Sequence, residues 1–166
     1  MIIVSDTTPL NYLVLINQSN LLHDLYGRVL IPEAVRDEMR RTDTPEKVRA
    51  FVSNPPAWLA VHAVPAPDPT LNLGAGEREA ITLAQALRAD VLLLDDGKAR
   101  RAARERGLTV AGTLAVLALA GRRRLVDLPA ALSQLQQTTF RAPASLIRLL
   151  LEQDRERREH SEKTDD

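Results

Sequence analysis

Between Asp90 and Asp95 the chain reads Val-Leu-Leu-Leu, four apolar residues with no polar one among them. A strand with one face in water alternates apolar and polar side chains. A run that does not alternate is buried on both faces, as in parallel sheets covered by helices on either side. Comparable short runs recur as "IIVSD" (2–6), "RVLIP" (28–32) and "LTVAG" (108–112), and "LAVHAV" (59–64) is expected as an edge strand. Between them, "TPLNYLVLI", "NLLHDLY", "PEAVRDEMRR", "PEKVRAFVSN", "GEREAITLAQALRA" and "GKARRAARERG" read as helices from apolar residues at helical spacing, with Pro9 where a first turn tolerates it and Gly107 as a stop. "PAPDPTLNLGAG" reads as a loop from its three prolines and two glycines, and Thr113 is expected to cap "LAVLALAG". The alternation predicts an α/β protein: a three-layer α/β/α sandwich with a mostly parallel central sheet. One domain is expected over residues 1–150, C-terminal helices included. The polar tail 151–166 is expected to fray or stay disordered.

Composition narrows the function classes. At 166 residues the chain suits one domain with a real core, and with aromatics at 3% that core is expected to be Leu, Val, Ile and Ala. The absence of cysteine removes disulfides, thiolate metal sites and cysteine nucleophiles together, and suits a reducing cytoplasm, where the protein is expected. No signal peptide is expected, and no apolar run is long enough to cross a bilayer, so no membrane partner is expected. The 22 basic and 22 acidic residues cancel, yet they are segregated: "KARRAARER" and "GRRRL" are basic, while acids recur singly beside apolar segments.

Those acids set the candidate site. In an open parallel sheet, ligands bind beyond the carboxyl ends of the strands. Asp6 ends the first strand, and Asp95 and Asp96 end the one at 90–96. If the two strands are neighbours, three carboxylates share an edge. Glu38, between Val35 and Met39, flanks a buried helix face, and Glu77 lies nearer the Ala80/Ile81/Ala84 side than Glu79 does. Each acid also has a plain structural reading. Glu38 would be a solvated helix residue, Glu77 or Glu79 a favourable charge at a helix start, and Asp95 a turn residue. Asp96 would be the cap of the next helix, and Asp6 the cap of the helix from Thr8. Their coincidence argues for more. Clustered carboxylates repel one another and raise their own pKa values, which a divalent cation relieves, and oxygen ligands without His or Cys favour Mg²⁺ or Mn²⁺ over zinc.

"SDTTPLNYL", "LIPEAVRDEM", "LNLGAGEREAITLA" and "LLLDDGKARRAARERGLTVAGTLAVL" resemble the PIN-domain proteins, in particular a prokaryotic branch of predicted nucleic-acid-binding members. The resemblance runs in order from residue 1 to about 150. It implies a Rossmann-like sandwich with an acidic pocket and metal-dependent endoribonuclease chemistry leaving 5′-phosphate and 3′-hydroxyl ends. It also implies service as the toxin of a toxin–antitoxin pair, with a small antitoxin protein as partner. By that resemblance Asp6, Glu38, Glu77 or Glu79, and Asp96 or Asp95 are the catalytic and metal-binding acids. Thr7 is the auxiliary hydroxyl, able to bond a ligand or a metal-bound water. Distant toxin members place Asp where this chain has Glu77 or Glu79, and an aromatic after the last acid where this chain has Gly97-Lys98-Ala99.

An acidic pocket repels RNA, so Lys98, Arg100, Arg101 and Arg104 are the expected phosphate contacts; their structural reading is a solvated helix face. "GRRRL" adds contacts or caps a helix C-terminus. Other chemistries lack their residues: His23, His62 and His160 are scattered, no serine sits in a nucleophile elbow, and no glycine-rich phosphate loop is present. The rival expectation is a non-catalytic nucleic-acid- or protein-binding module of the same fold. A homodimer is expected from the leucines of "TFRAPASLIRLLLEQ" and the pairing habit of the family.

Overall fold

The computed structural model describes residues 1–164. The chain divides into two compact units, Met1–Thr113 and the remainder from Leu114. In the first unit the order is β1 (Ile3–Ser5), α1 (Thr7–Leu15), α2 (Asn20–Tyr26), β2 (Val29–Pro32), α3 (Glu33–Met39), α4 (Glu46–Ser53), β3 (Leu59–His62), α5 (Ala75–Ala86), β4 (Val91–Leu93), α6 (Gly97–Glu105) and β5 (Val110–Ala111). Helix α7 (Thr113–Arg122) starts on the last residue of that unit, and α8 (Leu128–Gln136) and α9 (Ala144–Thr164) follow. The expected strand and helix segments are all present, and the loop expected over 65–76 ends at Gly74, because α5 begins at Ala75.

The five strands form one sheet in the order β3-β2-β1-β4-β5, every pairing parallel. The expectation of a parallel sheet between helices is met, and the sheet is wholly rather than mostly parallel. Strand β3 is an edge, as its sequence suggested. The lack of alternation has the expected cause. Val4 and Leu92, paired in register, pack with Ile81, Ala84, Ala99 and Ala103 of α5 and α6 on one face. Ile3, Val29, Ile31 and Leu93, which alternate with them, are fully buried as well. The connections from β1 run to one side of the sheet, through β2 and β3, and return to β4 on the other. The topological switch point therefore lies between β1 and β4, where a ligand crevice opens beyond the carboxyl ends.

The second unit is helical. Asp127 caps α8, its carboxylate accepting from Ala130 N–H at 3.0 Å, and the helix buries Leu128, Ala131, Leu132 and Leu135. The tail expected to fray is instead part of α9, which continues to Thr164; residues 165 and 166 lie outside the described residues. The reason is visible at Asp154. Although the segment is polar all round, this acid is only 4% exposed and pairs with Arg157 and Arg158, one helical turn on. Among the described residues no helix is long and apolar enough to cross a membrane.

Candidate active site beyond the first and fourth strands

Asp6 follows β1 directly, and its backbone N–H donates to Leu93 O at 2.9 Å, which seats it beside the end of β4. Its side chain is 3% exposed and Oδ1 is buried with no hydrogen-bond partner. Burial pushes its pKa up to about 7; the N–H of Thr7 pulls the other way, and Glu77, Glu38 and Asp95 add repulsion. The sheet order thus does what the sequence could only pose as a condition: β1 and β4 are neighbours, and acids from both meet.

Helices supply the rest. Glu38 of α3 accepts from the Thr7 hydroxyl at 2.5 Å and from Gly76 N–H, at the start of α5, at 2.9 Å. Glu79 of α5 returns the arrangement, accepting from Ala34 N–H in the first turn of α3 at 2.9 Å. The two helices exchange carboxylates at one another's N-termini. Glu77 is half-buried; burial raises its pKa, Asp96 and Glu38 raise it further, and hydrogen bonding from Gly74 N–H opposes them. Asp95 accepts from Thr113 N–H at 2.9 Å and Thr113 Oγ1 at 2.6 Å, and burial raises its pKa against the pull of those bonds and of Arg100. Asp96 caps α6 through Ala99 N–H at 2.9 Å.

Four of the expected acids accept a backbone N–H at the start of a helix: Glu79 at α3, Glu38 at α5, Asp96 at α6 and Asp95 at α7. In a parallel sheet, helices leave from the carboxyl ends of strands, so their positive N-terminal ends gather where the acids are. Each such charge–dipole contact is worth about 0.3–1 kcal/mol, more when partly buried. The plain structural reading of Asp96, a helix cap, is realised alongside the clustering, whereas Asp95, read as a turn residue, instead holds the start of α7 through Thr113. What the dipoles leave unmet is the buried, unpartnered Oδ1 of Asp6.

The structure brings Asp6, Glu38, Glu77 and Asp95 within electrostatic reach of one another, and Asp96 joins through Glu77. Glu79 is directed to α3 instead. Thr7 holds Glu38. Of the basic set, Lys98 adjoins Glu77 and Arg100 adjoins Asp95, while Arg101 and Arg104 are exposed on α6. Three residues were not anticipated in site roles. A Cβ on Gly76 would lie 2.6 Å from both Glu38 oxygens. One on Gly112 would lie 2.7 Å from Asp95 Oδ1 and 2.8 Å from an Arg100 nitrogen. Neither glycine has positive φ, so both are glycine for room and not for conformation. Thr113, expected as a cap, is the first residue of α7 and gives both its donors to Asp95. The signals available for them were the second glycine of "GAGE" and the "AGT" after a strand.

The donor chemistry fits a hard divalent cation: an all-oxygen set, one buried oxygen orphaned, and two glycines making space for carboxylates. Among the described residues no three His, Cys, Asp or Glu side chains are already grouped to hold an ion.

No curated protein matches the chain. Among solved structures, a PilT N-terminus domain protein from the hyperthermophilic archaeon Sulfolobus solfataricus P2 is similar at 16% identity and a TM-score of 0.49, covering 86% of this chain and 100% of that one. A family model described as a PIN domain matches residues 2–156, nearly the whole length. The chain belongs to the PIN-domain family.

Proposed function

We propose that this protein is a divalent-metal-dependent endoribonuclease acting at the carboxylate pocket beyond β1 and β4. PIN domains are generally nucleases and commonly use divalent metals. The observation that carries the reading to this chain is Asp6: a nearly fully buried acid at the switch point, one oxygen unpartnered, its pKa near 7 among three further acids. Such an arrangement is unfavourable to the empty fold and favourable to one that receives a cation.

Asp6, Glu38, Glu77 and Asp96 would hold Mg²⁺ or Mn²⁺, with Asp95 and Glu79 in support through the starts of α7 and α3. When bound, the metal supplies charge neutralisation at the scissile phosphate and acidifies the attacking water. The remaining work falls to the chain. The Thr7 hydroxyl and Gly76 N–H fix the orientation of Glu38, and Thr113 fixes Asp95. Burial and the neighbouring Asp96 and Glu38 raise the pKa of Glu77, which makes it a better proton acceptor than an ordinary carboxylate. Lys98, Arg101 and Arg104, all on α6, would contact the RNA backbone.

The test is cleavage of single-stranded RNA in Mg²⁺ or Mn²⁺, with EDTA and Asp6→Asn as the two silent controls. RNA that is bound but never cut in either metal would assign the chain to the non-catalytic binding modules instead. A toxin role is part of the proposal; expression that halts growth, relieved by the product of an adjacent small reading frame, supports it. So is pairing with a second copy in the cytoplasm. Leu146 and Leu149 of α9 are 38% and 48% exposed. A clean monomer in sedimentation at tens of micromolar would dismiss the pairing.

A further inference from the structure

The arginines of "GRRRL" have no place in the pocket chemistry, and the second unit gives them one. Helix α7 ends at Arg122, and the turn that follows is closed by Leu125 N–H on Ala120 O at 2.9 Å, with Arg124 at φ 58°. Between this turn and the last turns of α9 lies a cleft of about 680 Å³ whose charged lining is Arg122, Arg124, Arg157 and Arg158 against Asp127 and Glu162. With Asp154 behind them counted, four guanidiniums face three carboxylates, a local surplus of one in a chain whose net charge is zero.

Two of these guanidiniums are held from behind. Asp154, 4% exposed, pairs with Arg157 through one oxygen and with Arg158 Nε at 2.9 Å through the other. Arg157 also donates to Gly121 O at 2.5 Å. A guanidinium has five donors, so both keep N–H groups to spare while their side chains are already ordered. Arg124 is steadied by Ser161 Oγ. Arg122 lines the cleft with no hydrogen-bond or ion-pair partner for its guanidinium among the described residues. Ion pairing of α9 within the unit accounts for Arg157 and Arg158, but not for Arg122.

We propose that this cleft binds phosphate groups, those of a single-stranded RNA backbone. Bidentate donors in ordered positions suit phosphate oxyanions. Among the described residues no aromatic side chain lines the cleft, so none would stack a base, and contacts of charge alone are blind to sequence. The volume also exceeds what a single phosphate group needs. The inference does not rest on the catalytic reading, because it concerns binding without metal.

The experiment is fluorescence anisotropy of a short labelled single-stranded RNA on the full chain in EDTA, over a salt series. Arg122→Gln, Arg124→Gly and their combination are compared with wild type. Arg124→Gly also puts glycine where φ is positive, so it removes the guanidinium without straining the fold. Each lost phosphate contact should lower the log–log salt slope by about 0.7, or about 1.4 for the pair. Melting temperatures should not fall. Inorganic phosphate and a mononucleotide serve as competitors. Weak competition at matched phosphate concentration marks a backbone site, whereas equal affinity per phosphate would identify a small phosphorylated ligand and overturn the RNA assignment. Unchanged affinity and slope in the double variant, or no binding by wild type at low salt, would overturn the site itself. Metal-dependent cleavage that persists in either case would leave the catalytic proposal standing.

Discussion

Removing the charge of Asp6 should stabilise the metal-free protein, and by an amount that grows with pH. In the folded state burial holds this carboxyl at a pKa of about 7, against 3.8 for the ordinary group. Between those values the folded protein keeps a proton that the unfolded chain has lost. Stability is therefore complete below about pH 4, falls as pH rises, and has lost its full share above pH 7. A displacement of that size corresponds to about 4 kcal/mol, undiminished by exposure because the group is 3% exposed. Asp6→Asn keeps the shape and removes the titration, and its amide can donate toward the acids around it. Urea unfolding in EDTA, for both proteins from pH 4 to pH 8, isolates the effect in the difference between them. That difference should be small at pH 4 and approach about 4 kcal/mol in favour of the variant at pH 8, less whatever the amide loses in fit. A difference that stays constant across the range would refute the argument. It would mean that Asp6 is not held neutral by burial and repulsion.

Millimolar Mg²⁺ or Mn²⁺ should raise the melting temperature of wild type and leave Asp6→Asn unmoved, since an ion that binds only the folded state stabilises it by mass action; thermal melts with and without metal decide this. Gly76→Ala should cost about 1–3 kcal/mol and displace Glu38, because the new methyl would begin 2.6 Å from both carboxylate oxygens. Cleavage rates should fall at least tenfold, and an alanine variant with unimpaired activity would remove Glu38 from the site. Arg101→Ala with Arg104→Ala should lower the salt slope of RNA binding in Ca²⁺ by about 1.4 while bound RNA is still cut in Mn²⁺; an unchanged slope would make the exposed side of α6 a solvated face.

Much of the fold was readable because its signal is local. Unalternating runs such as Val91–Leu94 can only be satisfied with both faces covered, and helical spacing between them fixes the layers. The acids at strand ends were readable for the same reason, since position within a strand sets which end a residue occupies. The division of labour between Glu77 and Glu79 was not. Both lie in the first turns of α5, and what separates them is the packing of α5 against α3, where Glu79 meets Ala34 N–H. Nor could the sequence show that Asp95 holds Thr113, 18 residues on, or that Gly112 is small to make room for it. The continuation of α9 escaped for a related reason. A stretch without apolar periodicity looks unable to fold, unless one acid in it is buried and matched by arginines a turn away.

The order of strands also sets a schedule. Strand β1 is the first made, yet one of its two neighbours is β4, with Ile3 in register with Val91, 88 residues later. Asp6 thus emerges at the outset and waits for nearly everything that shapes its surroundings: Glu38, then Gly76 and Glu77, then Asp95, and last the Thr113 that fixes Asp95. At about 5–20 residues per second, the interval from Asp6 to Thr113 is roughly 5–20 s of synthesis. A nascent chain stopped anywhere before β4 holds Asp6 on a strand with a single neighbour and no pocket beside it. On the proposed reading, a chain that cuts RNA only through this pocket would be unable to do so until β4 and the start of α7 are made.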